Sequence, residues 1–177
     1  MMTRERYQAA ATFPEFLATA EKNQELWHGI YQRASVPLDL VQQAMELGQN
    51  YHLLALSEDW CGDAVNLLPV VARFAEAVPN VQLRVLGRDA NPDLMDAHLT
   101  GSSRSIPVVI IYDQNFNEIG WWGPRPTELQ KWVKEVGLTM EKDERYRHIR
   151  AWYARDKGRT TVQEIVGLME GVSAETA

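Results

Sequence analysis

The sequence predicts an α/β fold in which a mixed four-stranded sheet is flanked by helices. The first observation behind this prediction is the stretch 53–69, where an apolar run is followed by a polar turn and then by apolar residues at helical spacing. That succession is typical of a strand, a turn and a helix. The second observation is a pair of further apolar segments of strand length, at 81–86 and 108–112. Helical patterns separate the segments, as in α/β proteins.

Four strands are predicted, at 52–57, 81–86, 108–112 and 116–122. A right-handed crossover through the helix at 61–77 would make the first two strands parallel. The third strand is apolar throughout, which indicates a central position, and a polar turn then returns the chain as an antiparallel edge strand. We therefore expect 52–57 to lie between 81–86 and 108–112, with 116–122 at the far edge.

Helical patterns occupy most of the remaining chain. They fall at 13–48 (three short helices), 92–99, 127–136, 139–156 and 161–170. These patterns predict one domain of 177 residues, with an α/β core at 51–137, a helical N-terminal extension at 1–50 and a helical C-terminal extension at 138–177. Each extension carries an apolar stripe that needs burial, so we expect both to dock on the core. Residues 1–12 are expected to pack loosely, and the tail from Gly171 to be disordered.

Polar residues mark the expected starts of three helices. Ser35 precedes the third helix of the N-terminal extension, and Thr139 precedes the helix that we expect to end near Asp156. Thr161 and Glu164 have the spacing of a capping box, in which each side chain accepts a backbone N–H of the other residue. The last helix is therefore expected to begin at this pair.

Composition excludes several classes of protein. The formal net charge of −6 opposes general nucleic-acid binding, which needs a basic face. A single cysteine rules out an internal disulfide framework, and with it the usual sign of secretion. The charged N-terminus leads to no apolar signal segment, and no apolar run approaches the ~18 residues of a membrane span. We expect a soluble cytoplasmic protein; the sequence does not indicate its oligomeric state.

Cys61, the single cysteine, stands at the predicted start of the helix at 61–77. Unpaired backbone N–H groups and the helix dipole favour a thiolate at such a position, which would make Cys61 a nucleophile. Asp63 opposes this activation, because a carboxylate nearby disfavours a second negative charge. The alternative is that Cys61 is simply a small residue at a turn.

Four short motifs resemble those of the thioredoxin family. Trp60-Cys61-Gly62 resembles the opening of the family's W-C-G-P-C site, and Pro69 matches the proline that kinks its helix. The segment 89–92 (D-A-N-P) resembles the motif after the next strand, and 105–108 (S-I-P-V) resembles the segment with a cis-proline. The resemblance, which covers 51–136, implies a thioredoxin-like fold.

The departures from the family pattern concern its dithiol chemistry. Asp63 stands where the family has its helical proline, and Ala64 stands where it has the second, resolving cysteine. Ala55 takes the place of the buried aspartate that serves that cysteine. The resemblance therefore implies the fold but not a dithiol reaction.

By this resemblance Cys61 is the candidate catalytic residue, and five residues are expected to line its site: Trp60, Gly62, Asp63, Ile106 and Pro107. Backbone groups of Ile106 would pair with an extended partner, as sheet edges do in peptide recognition. Four further residues are candidate contacts for a partner: Arg88, Arg104, Trp122 and Arg125. The arginines would hold carboxylates of glutathione or of an acidic peptide; the alternative is that they are ordinary surface residues.

No cofactor or metal site is predicted. The four histidines show no ligand spacing, and there is neither a Walker loop nor a G-x-G-x-x-G motif. Two functions remain open. One is monothiol redox chemistry, in which Cys61 attacks a protein or peptide disulfide or a peroxide and is released by an external thiol such as glutathione. The other is a non-catalytic module that binds a peptide in the same groove, so the sequence does not decide whether the chain is an enzyme.

Overall fold

The computed structural model describes residues 1–171, which form nine α-helices, four strands and one 3-10 turn. The helices are α1 (Arg4–Ala9), α2 (Phe13–Thr19), α3 (Gln24–Arg33), α4 (Leu38–Glu46), α5 (Gly62–Ala77), α6 (Pro92–Asp96), α7 (Thr127–Glu135), α8 (Lys142–Asp156) and α9 (Arg159–Met169), with the 3-10 turn at Gly137–Thr139. The strands are β1 (Tyr51–Ser57), β2 (Val81–Gly87), β3 (Val108–Tyr112) and β4 (Glu118–Trp122). The expectation of a disordered tail lies outside the described residues from position 172 onward.

The sheet has the predicted order, β2-β1-β3-β4. Strand β1 is parallel to β2 and antiparallel to β3, which in turn is antiparallel to β4. At the centre, Ala55 lies opposite Val85 on one side and Val109 on the other. Every residue of β3 is buried, as its uniformly apolar sequence predicts. The predicted α/β fold with a mixed four-stranded sheet is confirmed.

Helix α5 is the central helix of the molecule. It packs against α3, β2 and α9, and most of its residues are buried, because an almost continuous apolar sequence is covered on several sides. Its N-cap is Cys61, whose backbone is extended (φ −77°, ψ 115°), and Pro69 lies inside it. The burial of α5 fixes the position of Cys61 at one end of the sheet.

The first twelve residues do not pack loosely, contrary to expectation. Thr3 caps α1 by accepting the N–H of Arg6, and the buried Tyr7 hydroxyl donates to the backbone oxygen of Leu53 at 3.0 Å. Ala11 then pairs with Val85, which covers the outer edge of β2. A helix of six residues has too few turns for an apolar period to show, so only the tertiary contacts reveal its role.

The helix starts differ from the expected caps. Pro37 rather than Ser35 occupies the N-cap position of α4, and Thr139 belongs to the 3-10 turn before α8. Helix α9 begins at Arg159, so Thr161 is an internal, buried residue. Glu164 is used elsewhere: its carboxylate accepts from Trp122 Nε1 at 3.0 Å and from the backbone and hydroxyl of Thr127. This tertiary use of Glu164 replaces the predicted capping box.

The C-terminal helices are part of the packed structure. Helix α9 packs against β4, α5 and α4, and its buried side chains are Thr161, Val162, Ile165, Val166 and Met169. Helix α9 is the main helix packed on β4, whereas α5 packs most extensively on α3, and α7 packs on the 3-10 turn and α8. Among residues 1–171, no helix has both the length and the apolar character that a bilayer crossing requires.

Candidate functional site

Cys61 lies where α5 begins, and only 6% of its surface is exposed. Its sulfur accepts a hydrogen bond from the backbone N–H of Ala64 at 3.4 Å, as an N-cap side chain does. The thiol donates to the backbone oxygen of Ile106 at 3.5 Å. The second contact requires a proton on sulfur, because a thiolate cannot donate a hydrogen bond.

The surroundings of Cys61 favour the thiol over the thiolate. Burial is the largest influence and raises the pKa of Cys61 above its usual range. The N–H of Ala64 lowers the pKa, Asp63 raises it through its negative charge, and Arg125 lowers it through its positive charge. Because burial prevails, the helix N-terminus does not produce the low pKa that is typical of reactive cysteines.

Cys61 opens on a cleft of about 760 Å³ between the start of α5 and the loop before β3. Residues on its wall include Trp60, Gly62, Asp63, Arg88, Arg104, Ile106 and Arg125. The peptide bond between Ile106 and Pro107 is cis, and both residues are buried. The structure thus brings the cysteine, the Trp60-Gly62 turn and the segment before β3 to one place.

Trp60 and Arg88 form the exposed side of this cleft. Trp60 is 49% exposed, and the guanidinium carbon of Arg88 lies 4.9 Å from the centre of its ring, within the range of a cation–π contact. Arg88 also donates to Asp89 at 2.9 Å and to the backbone oxygen of Arg104 at 3.2 Å. The orientation of Arg88 is therefore held by three neighbours.

Asp63 is at the centre of a buried polar cluster beside Cys61. Its carboxylate accepts two hydrogen bonds from Arg125, at 2.9 and 2.8 Å, and one from the Tyr153 hydroxyl at 2.6 Å. The side chains of Asp63 and Arg125 are only 8% and 15% exposed. Burial and the charge of Asp63 raise the pKa of Tyr153, so this hydroxyl keeps its proton. We refer to Asp63, Arg125 and Tyr153 as the Asp63 cluster.

The arginines and Trp122 are placed differently from one another. Arg125 reaches the cleft but is bound to Asp63 and Gln130. Arg104 is at the cleft and is held by both carboxylate oxygens of Asp96, at 2.7 and 2.9 Å. Trp122 does not line the cleft: it is 5% exposed and donates to Glu164. Of the predicted partner contacts, the structure therefore brings the arginines, but not Trp122, to Cys61.

Sequence reasoning missed Tyr153, which no local motif connects to the site. Its partner Asp63 lies 90 positions earlier in the chain, so only the folded structure shows the contact. It also missed Asp59, whose carboxylate accepts the backbone N–H groups of Glu21 and Lys22 at 2.9 and 3.0 Å. These hydrogen bonds lower the pKa of Asp59, and the bond from Lys22 has the largest influence. The backbone oxygen of Asp59 accepts from Trp27 Nε1 at 2.9 Å.

The acidic side chains near Cys61 are occupied by groups of the protein itself. Within residues 1–171, no group of three or more histidine, cysteine, aspartate or glutamate side chains is arranged to hold a metal ion. The acidic residues around Cys61 are instead bound to backbone N–H groups, to Arg125 and to Tyr153.

Comparison with known proteins identifies a family and finds similar solved structures. A family model described as Thioredoxin matches residues 10–151, well beyond the 51–136 that carry the motifs. The crystal structure of a protein of unknown function from Pseudomonas aeruginosa is similar with a TM-score of 0.76 and 18% identity, over 98% of this chain and 100% of that one. An HIV epitope scaffold has a TM-score of 0.74 and 20% identity over the same shares. At these identities the likeness shows the fold alone. No curated protein is significantly similar to this chain.

Proposed function

Because the chain belongs to the thioredoxin family, we propose that its Cys61 cleft binds an extended peptide and that Cys61 contacts this peptide as a protonated thiol. The observation that carries the proposal is the hydrogen bond from the thiol to the oxygen of Ile106, in a buried setting that raises the pKa of Cys61. At neutral pH such a thiol provides a contact surface, but only a small fraction of it is present as the nucleophilic thiolate.

The cleft offers groups suited to an extended partner. The N–H of Ile106 has no hydrogen-bond acceptor within residues 1–171, and it lies in the loop that leads into β3. A peptide strand that accepts from this N–H would be held by main-chain hydrogen bonds, which is a common mode of peptide recognition. Exposed Trp60 adds a rigid aromatic surface at the edge of the cleft.

Monothiol redox chemistry is the second candidate, favoured by the N–H of Ala64 on the sulfur and by the opening of Cys61 to the cleft. The thiolate would attack a disulfide, forming a Cys61–S–S–R bond and releasing R′S⁻; an external thiolate would then form a disulfide with R and return Cys61 as thiolate. With a peroxide, Cys61 would become a sulfenic acid while the peroxide is reduced to an alcohol or water.

Ala64 supplies no second thiol, so the protein should be very poor in insulin reduction with thioredoxin reductase.

The pH dependence of Cys61 alkylation by iodoacetamide separates the two candidates. Peptide binding with a protonated thiol predicts a pKa of Cys61 at or above that of a free thiol, about 8.5. It also predicts that oxidised glutathione adds no glutathione mass to the folded protein within hours at pH 7. A pKa well below that value, with addition of one glutathione to the wild type and none to Cys61→Ser, would establish the redox function instead.

Peptide binding itself can be tested with a displayed library of random peptides that lack cysteine. We expect selected peptides to shift the amide NMR signals of Ile106 and Ser105 and the indole signal of Trp60. Cys61→Ser should retain this binding, because the hydroxyl replaces a thiol that remains uncharged and non-covalent. If no peptide is enriched over a library exposed to the carrier alone, the binding function is wrong.

A further inference from the structure

A second pocket, beside α5, is lined by three cationic side chains. It has a volume of about 240 Å³ and lies between the α3–α4 connection and the turn that joins α8 to α9. Arg33, Arg150 and Lys157 line it, and no acidic residue does. We refer to it as the basic pocket. None of its lining residues lines the Cys61 cleft; Tyr153, which lines the pocket, joins the two through its hydrogen bond to Asp63.

Among the described residues, the three cations have no acidic partner. Within residues 1–171, none of Arg33, Arg150 and Lys157 forms a salt bridge, although seven such bridges occur elsewhere in that part of the chain. The nearest acidic residue along the chain, Asp156, is bound to the backbone N–H and the hydroxyl of Thr160. Three unpaired cations around one concave surface attract an anion, since like charges held together gain most from a shared counter-charge.

Apolar side chains also line the basic pocket, next to Asn66 and Tyr153. Ile30 and Val70 are among them, and Val70 is 4% exposed on the buried helix α5. Gly158 packs directly on Val70: a Cβ placed on this glycine would lie 2.6 Å from Val70 Cγ1. The α8–α9 turn therefore requires glycine at 158, and its close approach to Val70 sets the depth of the pocket.

Lys157 is held at the pocket by an unusual backbone conformation. Its φ of 54° lies in the left-handed region, which residues with a Cβ other than asparagine and aspartate rarely adopt. Such positions usually carry glycine or asparagine at the end of a helix. A lysine there adds a cation to the pocket that Arg150 also lines.

From these observations we infer that the basic pocket binds a small organic anion that has a phosphate or carboxylate head and a short apolar body. The cations of Arg33, Arg150 and Lys157 bind the head, and the surface formed by Ile30 and Val70 receives the body. The volume is smaller than the roughly 300–1,000 Å³ of pockets for drug-sized ligands, so the ligand is small. Ser35, which also lines the pocket, supplies a hydroxyl donor to the head group.

Amide NMR titration of the full chain tests both parts of the site with three probes: hexyl phosphate, inorganic phosphate and hexan-1-ol. We expect saturable shifts from hexyl phosphate at Arg33, Ser35, Arg150 and Lys157. Inorganic phosphate and hexan-1-ol should each bind at least about fivefold more weakly, because each lacks one of the two contacts. Equal affinity for hexan-1-ol would contradict anion recognition, and equal affinity for inorganic phosphate would contradict the apolar part.

Charge variants give the matched comparison. Arg150→Gln and Lys157→Asn should each weaken hexyl phosphate binding about fivefold, as expected for loss of one exposed charge-assisted contact; asparagine tolerates the left-handed conformation. Arg147→Gln is the control, because Arg147 is exposed on the same helix and does not line the pocket. No saturable binding of hexyl phosphate, or an equal loss in Arg147→Gln, would overturn the assignment.

Discussion

Two aspartates stand two positions before and two positions after Cys61, and each is bound by a different end of the chain. Asp59 is held by backbone N–H groups of the N-terminal segment, at Glu21 and Lys22. Asp63 is held by Tyr153 of the C-terminal segment and by Arg125. Both ends of the chain therefore position the turn that contains the cysteine.

The two contacts differ in burial and in kind. Asp59 is a partly exposed carboxylate that accepts from neutral backbone groups, whereas Asp63 is buried and paired with a guanidinium. A buried charge pair is costly to break, because removal of one partner leaves the other charge without solvent or counter-ion. Breaking the contacts of a partly exposed carboxylate costs less stability, because water replaces its partners. The C-terminal segment should therefore matter more to the stability of the site.

Truncation after Gly137 should have the largest effect. It removes six buried hydrophobic side chains, those of Ile149, Tyr153, Val162, Ile165, Val166 and Met169. At ~1.5–3 kcal/mol each, this burial amounts to about 9–18 kcal/mol before the opposing conformational entropy is subtracted, which is comparable with the ~5–15 kcal/mol stability of a typical domain. We expect the truncated chain to lose its cooperative thermal transition by calorimetry. A transition close to that of the full chain would show that the C-terminal segment is an independent appendage.

Asp63→Asn should have the next largest effect, with a loss of about 3–5 kcal/mol in the free energy of unfolding, because Arg125 is left buried without its counter-charge. Urea denaturation at pH 7 measures it. Asp89→Asn is the matched control, since Asp89 pairs with Arg88 at an exposed position, and such pairs contribute about 0–1 kcal/mol. If the two variants lose the same stability, the Asp63 cluster does not hold the C-terminal segment.

The double variant Asp63→Asn/Arg125→Gln should lose less free energy of unfolding than the sum of the losses in the two single variants.

Local signals explain what the sequence predicted correctly. The strand order follows from apolar periodicity and from the rules for crossovers and hairpins, which depend on neighbouring segments. The start of α5 at Cys61 follows from an apolar strand, a polar turn and a helical pattern within 53–69. The placement of Ile106 beside Cys61 came from the family resemblance, not from periodicity. Each of these features depends either on residues that are close together in the sequence or on a recognised motif.

Long-range polar contacts explain what the sequence did not predict. Asp63 has the residue type of a solvated carboxylate, and only the arrival of Tyr153 and Arg125 makes it a buried one. Glu164 similarly has the spacing of a capping residue but binds Trp122, 42 positions earlier. A carboxylate has several acceptable partners, so its sequence neighbours do not determine which one it takes. For the same reason, the sequence did not predict that the cations of the basic pocket would lie together without acidic partners among residues 1–171.

Asp59→Asn should have a smaller effect than Asp63→Asn, a loss of about 1 kcal/mol at pH 7, because solvent screens a partly exposed carboxylate. The pKa of Asp59 is lowered in the folded state, so its contribution is fully present above the unfolded value of about 3.9 and is lost as the pH falls through the lower folded value. The stability difference between wild type and Asp59→Asn should therefore shrink below about pH 4. A difference that stays constant down to pH 2 would contradict this account.

The smallest expected effect is on the pKa of Cys61. It distinguishes the two aspartates by the influence of their charges on the thiol. Asp63 raises this pKa and Arg125 lowers it, so Asp63→Asn should lower the pKa of Cys61 and Arg125→Gln should raise it. Asp59 is not among the main groups that raise or lower the pKa of Cys61, so we expect Asp59→Asn to change this pKa less than Asp63→Asn does.

The midpoint of the iodoacetamide pH profile measures this pKa, whereas the plateau rate also reflects how often the cysteine becomes accessible. Tyr153→Phe therefore serves as the matched control: it removes the hydrogen bond to Asp63 but keeps both charges. It should raise the plateau rate without moving the midpoint. If Tyr153→Phe moves the midpoint as far as Asp63→Asn does, the effect comes from loosening of the structure, and the charge of Asp63 does not control the thiol.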